Sequence, residues 1–158
     1  MSALKDSAQR VQDVLAQSGY DTKVRELPES TRTAQEAAAA IGCEVAQIAK
    51  SIIFRLSGSG SPLLVVASGT NRVNEKSISS RLQDKLLKAD ADYVRERTGF
   101  VIGGVAPIGH LEPITTIVDE DLFQFQTVWA AAGHPKAVMA LKPDELVAMT
   151  RGQVMSIK

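Results

Sequence analysis

The stretch Ile48-Ala49-Lys50-Ser51-Ile52-Ile53-Phe54-Arg55-Leu56, then Ser57-Gly58-Ser59-Gly60-Ser61-Pro62, then Leu63-Leu64-Val65-Val66-Ala67 decides the fold. Two apolar, β-branched runs joined by a short serine-glycine segment read as antiparallel strands, because a parallel pair needs a much longer crossover. The hairpin is predicted to be central to a sheet. It carries a cation, Lys50, on an otherwise apolar strand, and lysine strongly resists loss of water.

Before the hairpin, Leu4, Ala8, Val11, Val14, Leu15 and Ser18 recur near helical spacing, with Gly19 as a stop. Thr22–Leu27 alternates and stops at Pro28, as an edge strand does, and Thr33-Ala34-Gln35-Glu36 is a capping box opening an alanine-rich helix that Gly42 ends. Beyond the hairpin, Asn74 is predicted to cap a helix to about Leu87, and Asp90 a shorter one ending near Gly99. Phe100-Val101-Ile102 then reads as strand-like and leads into Gly103-Gly104-Val105-Ala106-Pro107-Ile108-Gly109-His110. Ile114–Val118, Val128–Ala131 and Ala137–Leu141 read as strands, and Pro143 is placed to open a last helix. Strands joined sometimes by hairpin loops and sometimes by helices predict an α/β composition in an α+β pattern, with a mixed, largely antiparallel central sheet and surrounding helices.

At 158 residues and 44% hydrophobic content the chain is expected to be one globular domain spanning 1–158. Lysine plus arginine and aspartate plus glutamate both number 18, so any contact with nucleic acid must come from a local patch. One cysteine, Cys43, cannot form an intramolecular disulfide, and the start of the chain lacks the apolar run of a secretory signal, so the cytoplasm is the expected compartment. No window approaches the roughly 20 apolar residues that span a bilayer, so no membrane association is expected.

The residue types that carry chemistry have two readings each. Lys50 is either a strand residue whose ammonium reaches water along its alkyl stem, or a fixed positive charge in a pocket that holds an anionic or carbonyl oxygen. Gly103, Gly104, Pro107 and Gly109 make either a tight turn or a preorganised loop whose N–H groups stabilise an oxyanion. His110, and His134 in Gly133-His134-Pro135, are either polar turn residues or borders of the pocket. Asp119-Glu120-Asp121 reads as a solvated start of a short helix. Arg72, Lys76, Arg81, Lys85 and Lys88, opposed by Glu75 and Asp84, form a locally basic segment, either an ordinary solvated face or a phosphate-contacting one. The aromatic residues Phe54, Phe100, Phe123, Phe125 and Trp129 are expected in the core. Histidines, cysteine and acids show no metal-ligand spacing, and no cofactor or metal is expected.

Taken in order, the capping-box helix from Thr33, the strand Ile48–Arg55 with Lys50, the loop Gly103–Gly109, and the segment from Gly133 through Leu141-Lys142-Pro143-Asp144-Glu145-Leu146 resemble the YbaK-type aminoacyl-tRNA deacylase family, found free-standing and inserted in bacterial prolyl-tRNA synthetases. The resemblance covers nearly the whole chain and implies that family's fold. It further implies metal-free hydrolysis of the ester joining a wrongly attached amino acid to the 3′-terminal ribose of a tRNA, often the tRNA for proline. Lys50 takes the place of the family's lysine, and Gly103, Gly104, Pro107 and Gly109 that of its loop. The implied partners are the acceptor end of an aminoacyl-tRNA and a prolyl-tRNA synthetase.

An aminoacyl ester is already activated, so a site need only position water and stabilise the tetrahedral oxyanion. Lys50, Gly103 and Gly104 are the expected catalytic residues, with Pro107, Gly109, His110, Gly133 and His134 contacting substrate, and the basic segment contacting tRNA. In relatives that remove cysteine, serine often opens the segment aligned with Ala131-Ala132-Gly133 and an acid stands at the position of Val138. This chain departs at both, so alanine, serine, threonine or a nonprotein analogue is at least as credible a substrate side chain. Two other classes stay open on the residues alone: a noncatalytic module that binds an aminoacylated 3′ end or a nucleotide, and a hydrolase of small esters unrelated to tRNA.

Overall fold

The computed structural model describes residues 6–29 and 33–158. Leu4, expected in the first helix, lies outside them. Helix α1 (Asp6–Gln17) buries Ala8, Val11 and Leu15, the stripe its spacing predicts, and Gly19 leaves it at a left-handed φ of 84°. Helix α2 (Ala34–Ile41) opens with both hydrogen bonds of the Thr33–Glu36 capping box and closes on Gly42, whose N–H donates to the Ala38 carbonyl.

Strands β2 (Ile48–Leu56) and β3 (Pro62–Ser68) form the antiparallel hairpin, with Lys50 opposite Ala67. Every residue of β3 is buried. The reason is that both faces of the sheet are covered there, which is also why β3 reads as a continuous apolar run. Leu64 and Val66 join a large core with α1, α4 (Ala91–Thr98) and α5 (Pro143–Thr150), while Leu63, Val65 and Ala67 join a smaller one with α3 (Glu75–Leu82). A third cluster seats α2 on Ile48 and Trp129.

Around the hairpin lie β1 (Arg25–Glu26), β4 (Leu86–Lys88), β5 (Thr115–Asp119), β6 (Val128–Ala131), β7 (Ala137–Leu141) and β8 (Gln153–Met155). The order is β1-β7-β6-β2-β3-β5-β8, with β4 also on β2. Pairs β1–β7, β7–β6, β2–β3 and β2–β4 are antiparallel, whereas β2–β6, β3–β5 and β5–β8 are parallel. The expected mixed, mostly antiparallel sheet with surrounding helices is what the chain forms.

Three local expectations are corrected. The helix capped by Asn74 stops at Leu82, because Gln83 turns left-handed and Asp84 reaches back to accept the Gly58 N–H; Leu86–Lys88 then pairs with β2 instead of continuing the helix. Phe100–Ile102 is not a strand: Phe100 is buried under the Arg10 guanidinium, and Val101 to Gly104 is a turn. Asp119 is not solvated but fully buried. It accepts the Ser68 and Asp121 N–H groups and the Asn71 amide, all within 2.9 Å. The short helix expected after it is present as a 3₁₀ turn, Glu120–Gln124. Among the described residues, no helix is long and apolar enough to cross a membrane.

Candidate active site

On the edge of β2 facing away from β3, β6 pairs only with Ile48 and Ala49, and β4 only with Phe54, Arg55 and Leu56. Among the described residues, 50–53 therefore have no strand partner on that edge, and their outward backbone groups are left to water or a ligand. A cleft of about 720 Å³ lies there, lined by β2 from Ile48 to Phe54. That volume falls in the range of sites for small ligands.

Strand alternation divides the cleft. Lys50, Ile52 and Phe54 share one face with α2, which contributes Ala34, Ala37 and Ile41, and with Arg72 and Glu75. Ala49, Ser51 and Ile53 share the other with Ala89, Val94, Val105 and Ala130. Gly103 also lines the cleft. Lys50 is half-buried and makes no ion pair among the described residues. Burial, and then the Arg72 guanidinium, hold its pKa below the ordinary lysine value, while the Asp119 carboxylate pulls the other way. Such a charge is available to an incoming anion or polarised carbonyl.

The loop after α4 is more differentiated than its glycines suggest. Its first turn closes with the Gly104 N–H donating to the Val101 carbonyl at 2.9 Å, and Gly103 occupies the position with φ 90° that favours glycine. The expectation that Gly104 offers an oxyanion donor is corrected, since its N–H is spent. Gly104 is needed for space: a Cβ there would lie 2.8 Å from the His134 backbone. Gly103 alone of the two reaches the cleft.

Pro107, Gly109, His110, Gly133 and His134 do not line the cleft. His110 is half-buried, its Nε2 bonded to the Ala106 carbonyl at 2.7 Å and its ring edge-on to Phe100; burial holds its pKa below the usual histidine range. His134 Nδ1 accepts the Lys136 N–H within its own turn, and Gly133 packs against the Ser7 backbone on α1. Of the basic segment, Arg72 and Lys88 line the cleft, whereas Lys76, Arg81 and Lys85 are exposed on and after α3.

Three contributors were given no place in the site from the sequence. Trp129, expected in the core, lines the cleft beside α2 and stacks under Arg25. Asn71 bridges Asp119 and Asp121, fixing the segment that presents Arg72. Ser51 Oγ is fully buried with no hydrogen-bond partner among the described residues. Among the described residues no group of three or more histidine, cysteine or acidic side chains is placed to hold a metal.

Comparison with known proteins adds to this geometry. The model of the aminoacyl-tRNA editing domain matches residues 28–149, most of the chain. This chain belongs to that family. A relative, the uncharacterized protein YwhH of Bacillus subtilis (strain 168), is 33% identical over 140 residues, covering 89% of this chain and 88% of that one. A proline–tRNA ligase of Limosilactobacillus fermentum is 34% identical over 94 residues, 57% of this chain but 16% of the ligase. A solved structure described as a candidate trans-editing enzyme for prolyl-tRNA synthetase superposes with a TM-score of 0.93 at 45% identity, covering 99% of both chains.

Proposed function

We propose that this editing-domain chain is a free-standing deacylase, one domain acting in the cytoplasm, that hydrolyses the ester of a mischarged aminoacyl-tRNA, with tRNA for proline as the expected carrier of a small non-cognate amino acid. The observation that carries the reading is Lys50: a half-buried cation with no carboxylate in ion-pair reach among the described residues, at the open edge of β2, in a cleft that also takes in Gly103. Family membership and the relatives' names supply the substrate class.

In this reading Lys50 anchors the aminoacyl or terminal phosphate oxygens and orients the ester across the open edge. Water attacks the ester carbon, the carbonyl oxygen takes up negative charge, and a backbone N–H of the Gly103 turn stabilises it. Collapse of that intermediate breaks the bond to the 3′ oxygen, which leaves protonated; the products are free amino acid and uncharged tRNA. The neighbouring ribose hydroxyl helps to position the water. Arg72 and Lys88 at the cleft, with Lys76, Arg81 and Lys85 farther out, meet acceptor-stem phosphates, so binding weakens as salt rises. A prolyl-tRNA synthetase is the expected partner.

The test is a panel of aminoacylated tRNAs incubated with wild type, with Lys50→Ala and with buffer. Wild type is expected to release amino acid from at least one mischarged tRNA much faster than either control. Equal ester loss in all three would sink the reading.

A further inference from the structure

Among the described hydroxyls in or beside the sheet, Ser68 is hydrogen-bonded to the Ala46 carbonyl, Thr98 to Val94, Thr116 to Ile114 and Thr150 to Leu146. Ser51 Oγ is shut off from water and has no such partner among the described residues. A buried hydroxyl without a partner is unfavourable, and a native structure rarely keeps one without a use. Ser51 lines the cleft between Ala49 and Ile53, and the other cleft residues of that face, Ala89, Val94, Val105 and Ala130, are apolar. Ser51 as a residue is half-buried although its Oγ is covered, so a change between staggered rotamers turns the hydroxyl to an otherwise apolar wall when a partner enters.

We infer that Ser51 determines specificity by bonding a β-hydroxyl on the esterified amino acid, favouring serine over alanine. This rests on the deacylase reading. An ester held at the open edge, between Lys50 and Gly103, has its charged groups on the Lys50 side and its side chain free to enter the Ser51 side. The competing occupant, the α-ammonium, is disfavoured there: among the described residues lining the cleft the one carboxylate is Glu75, which lies with Arg72 on the Lys50 face, and an ammonium on an apolar wall lacks a counter-charge. A hydroxyl suits the wall, since two hydroxyls can exchange donor and acceptor roles. Alanine has the same carbon skeleton but leaves Ser51 Oγ unpaired.

The experiment charges one tRNA with serine and, separately, with alanine, and measures kcat/KM for wild type and Ser51→Ala, with thermal melts to verify that the variant folds. Wild type is expected to favour serine by about tenfold or more, since a site built to bond a hydroxyl rejects the analogue lacking it. In Ser51→Ala the ratio is expected to fall to near one. A wild-type ratio near one, or equal loss on both esters in Ser51→Ala as an ammonium contact would give, overturns the inference and leaves the deacylase standing. Hydrolysis of neither ester by wild type, with other mischarged tRNAs cleaved, also overturns it. If no mischarged tRNA is cleaved, the deacylase reading falls and takes this inference with it.

Discussion

Lys50 and Ser51 are adjacent in sequence yet face opposite sides of β2, at the stretch where that strand's outer edge has no partner. One gap in a sheet thus sets a half-buried cation on one side and a residue with a buried orphan hydroxyl on the other along the same cleft. Neither position favours the folded state on its own account, which is the pattern of residues kept for a ligand.

For Lys50 the consequence can be measured. Its pKa is lowered mainly by burial, so folding disfavours its charged form. A lysine whose folded pKa lies below its unfolded value binds fewer protons when folded, and its charge counts against the folded state at neutral pH. Lys50→Met, which keeps the stem and removes the charge, is expected to melt at the same temperature as wild type or slightly higher. Its deacylation rate should nonetheless fall by about a hundredfold or more, as when a preorganised charge is removed from a reaction centre. Thermal melts and single-turnover hydrolysis check both halves.

Because Arg72 is the second cause of that depression, Arg72→Leu is expected to move the Lys50 titration upward, toward but not up to the ordinary lysine value. NMR titration of the lysine side chains reads this directly. An unchanged or lower Lys50 midpoint would remove Arg72 from the electrostatics of the site.

Asp119 holds together the floor behind these cations. It receives the Ser68 N–H at the end of β3, the Asn71 amide and the Asp121 N–H, and Asp121 in turn pairs with Lys158 at 3.0 Å. Truncation leaves buried donors unpaired, so Asp119→Ala is expected to cost roughly 2–4 kcal/mol in urea unfolding. Asp121→Ala, on the half-exposed side of the network, should cost under about 1 kcal/mol.

The hairpin, the capping box and the glycine stops were legible because each is set by neighbours in sequence: alternation, a Thr–Glu spacing, a left-handed residue after a helix. Asp119 was not, since its burial follows from β3 and β5 lying side by side, more than fifty positions apart in the case of Ser68. Lys50 was visible as a misfit, an ammonium among apolar residues. Ser51 was not, because serine on a strand is unremarkable until the strand beside it stops short. The glycine loop was half legible: residue type announced tight geometry, but only packing against the 134–135 turn separates Gly104, which needs the space, from Gly103, which meets the cleft.

His110 gives the fold a mild acid sensitivity. Burial lowers its pKa and the Ala106 carbonyl opposes that shift only in part. The unfolded chain then binds more protons than the folded one as pH falls below about 6.5, the ordinary histidine value, so stability is full above that pH and declines below it. Unfolding free energies measured from pH 7.5 to 5 should fall for wild type and fall less for His110→Gln.

Gly103 and Gly104 should respond differently to alanine. At Gly104 a Cβ would meet the His134 and Pro135 backbone at 2.8–2.9 Å, and backbone cannot swing aside as a side chain can. Gly104→Ala is therefore expected to lower the melting temperature and to disturb the cleft only through displacement of the loop. Gly103 holds φ at 90°, so alanine there costs about 1–2 kcal/mol of backbone strain. That strain is relieved by rotating the peptide that faces the cleft, and with it the N–H proposed to meet the oxyanion. Gly103→Ala should thus lose more kcat than KM, and more activity per degree of melting temperature than Gly104→Ala. Parallel melts and steady-state kinetics on the two variants decide it, and equal activity loss at equal destabilisation would take the oxyanion role away from Gly103.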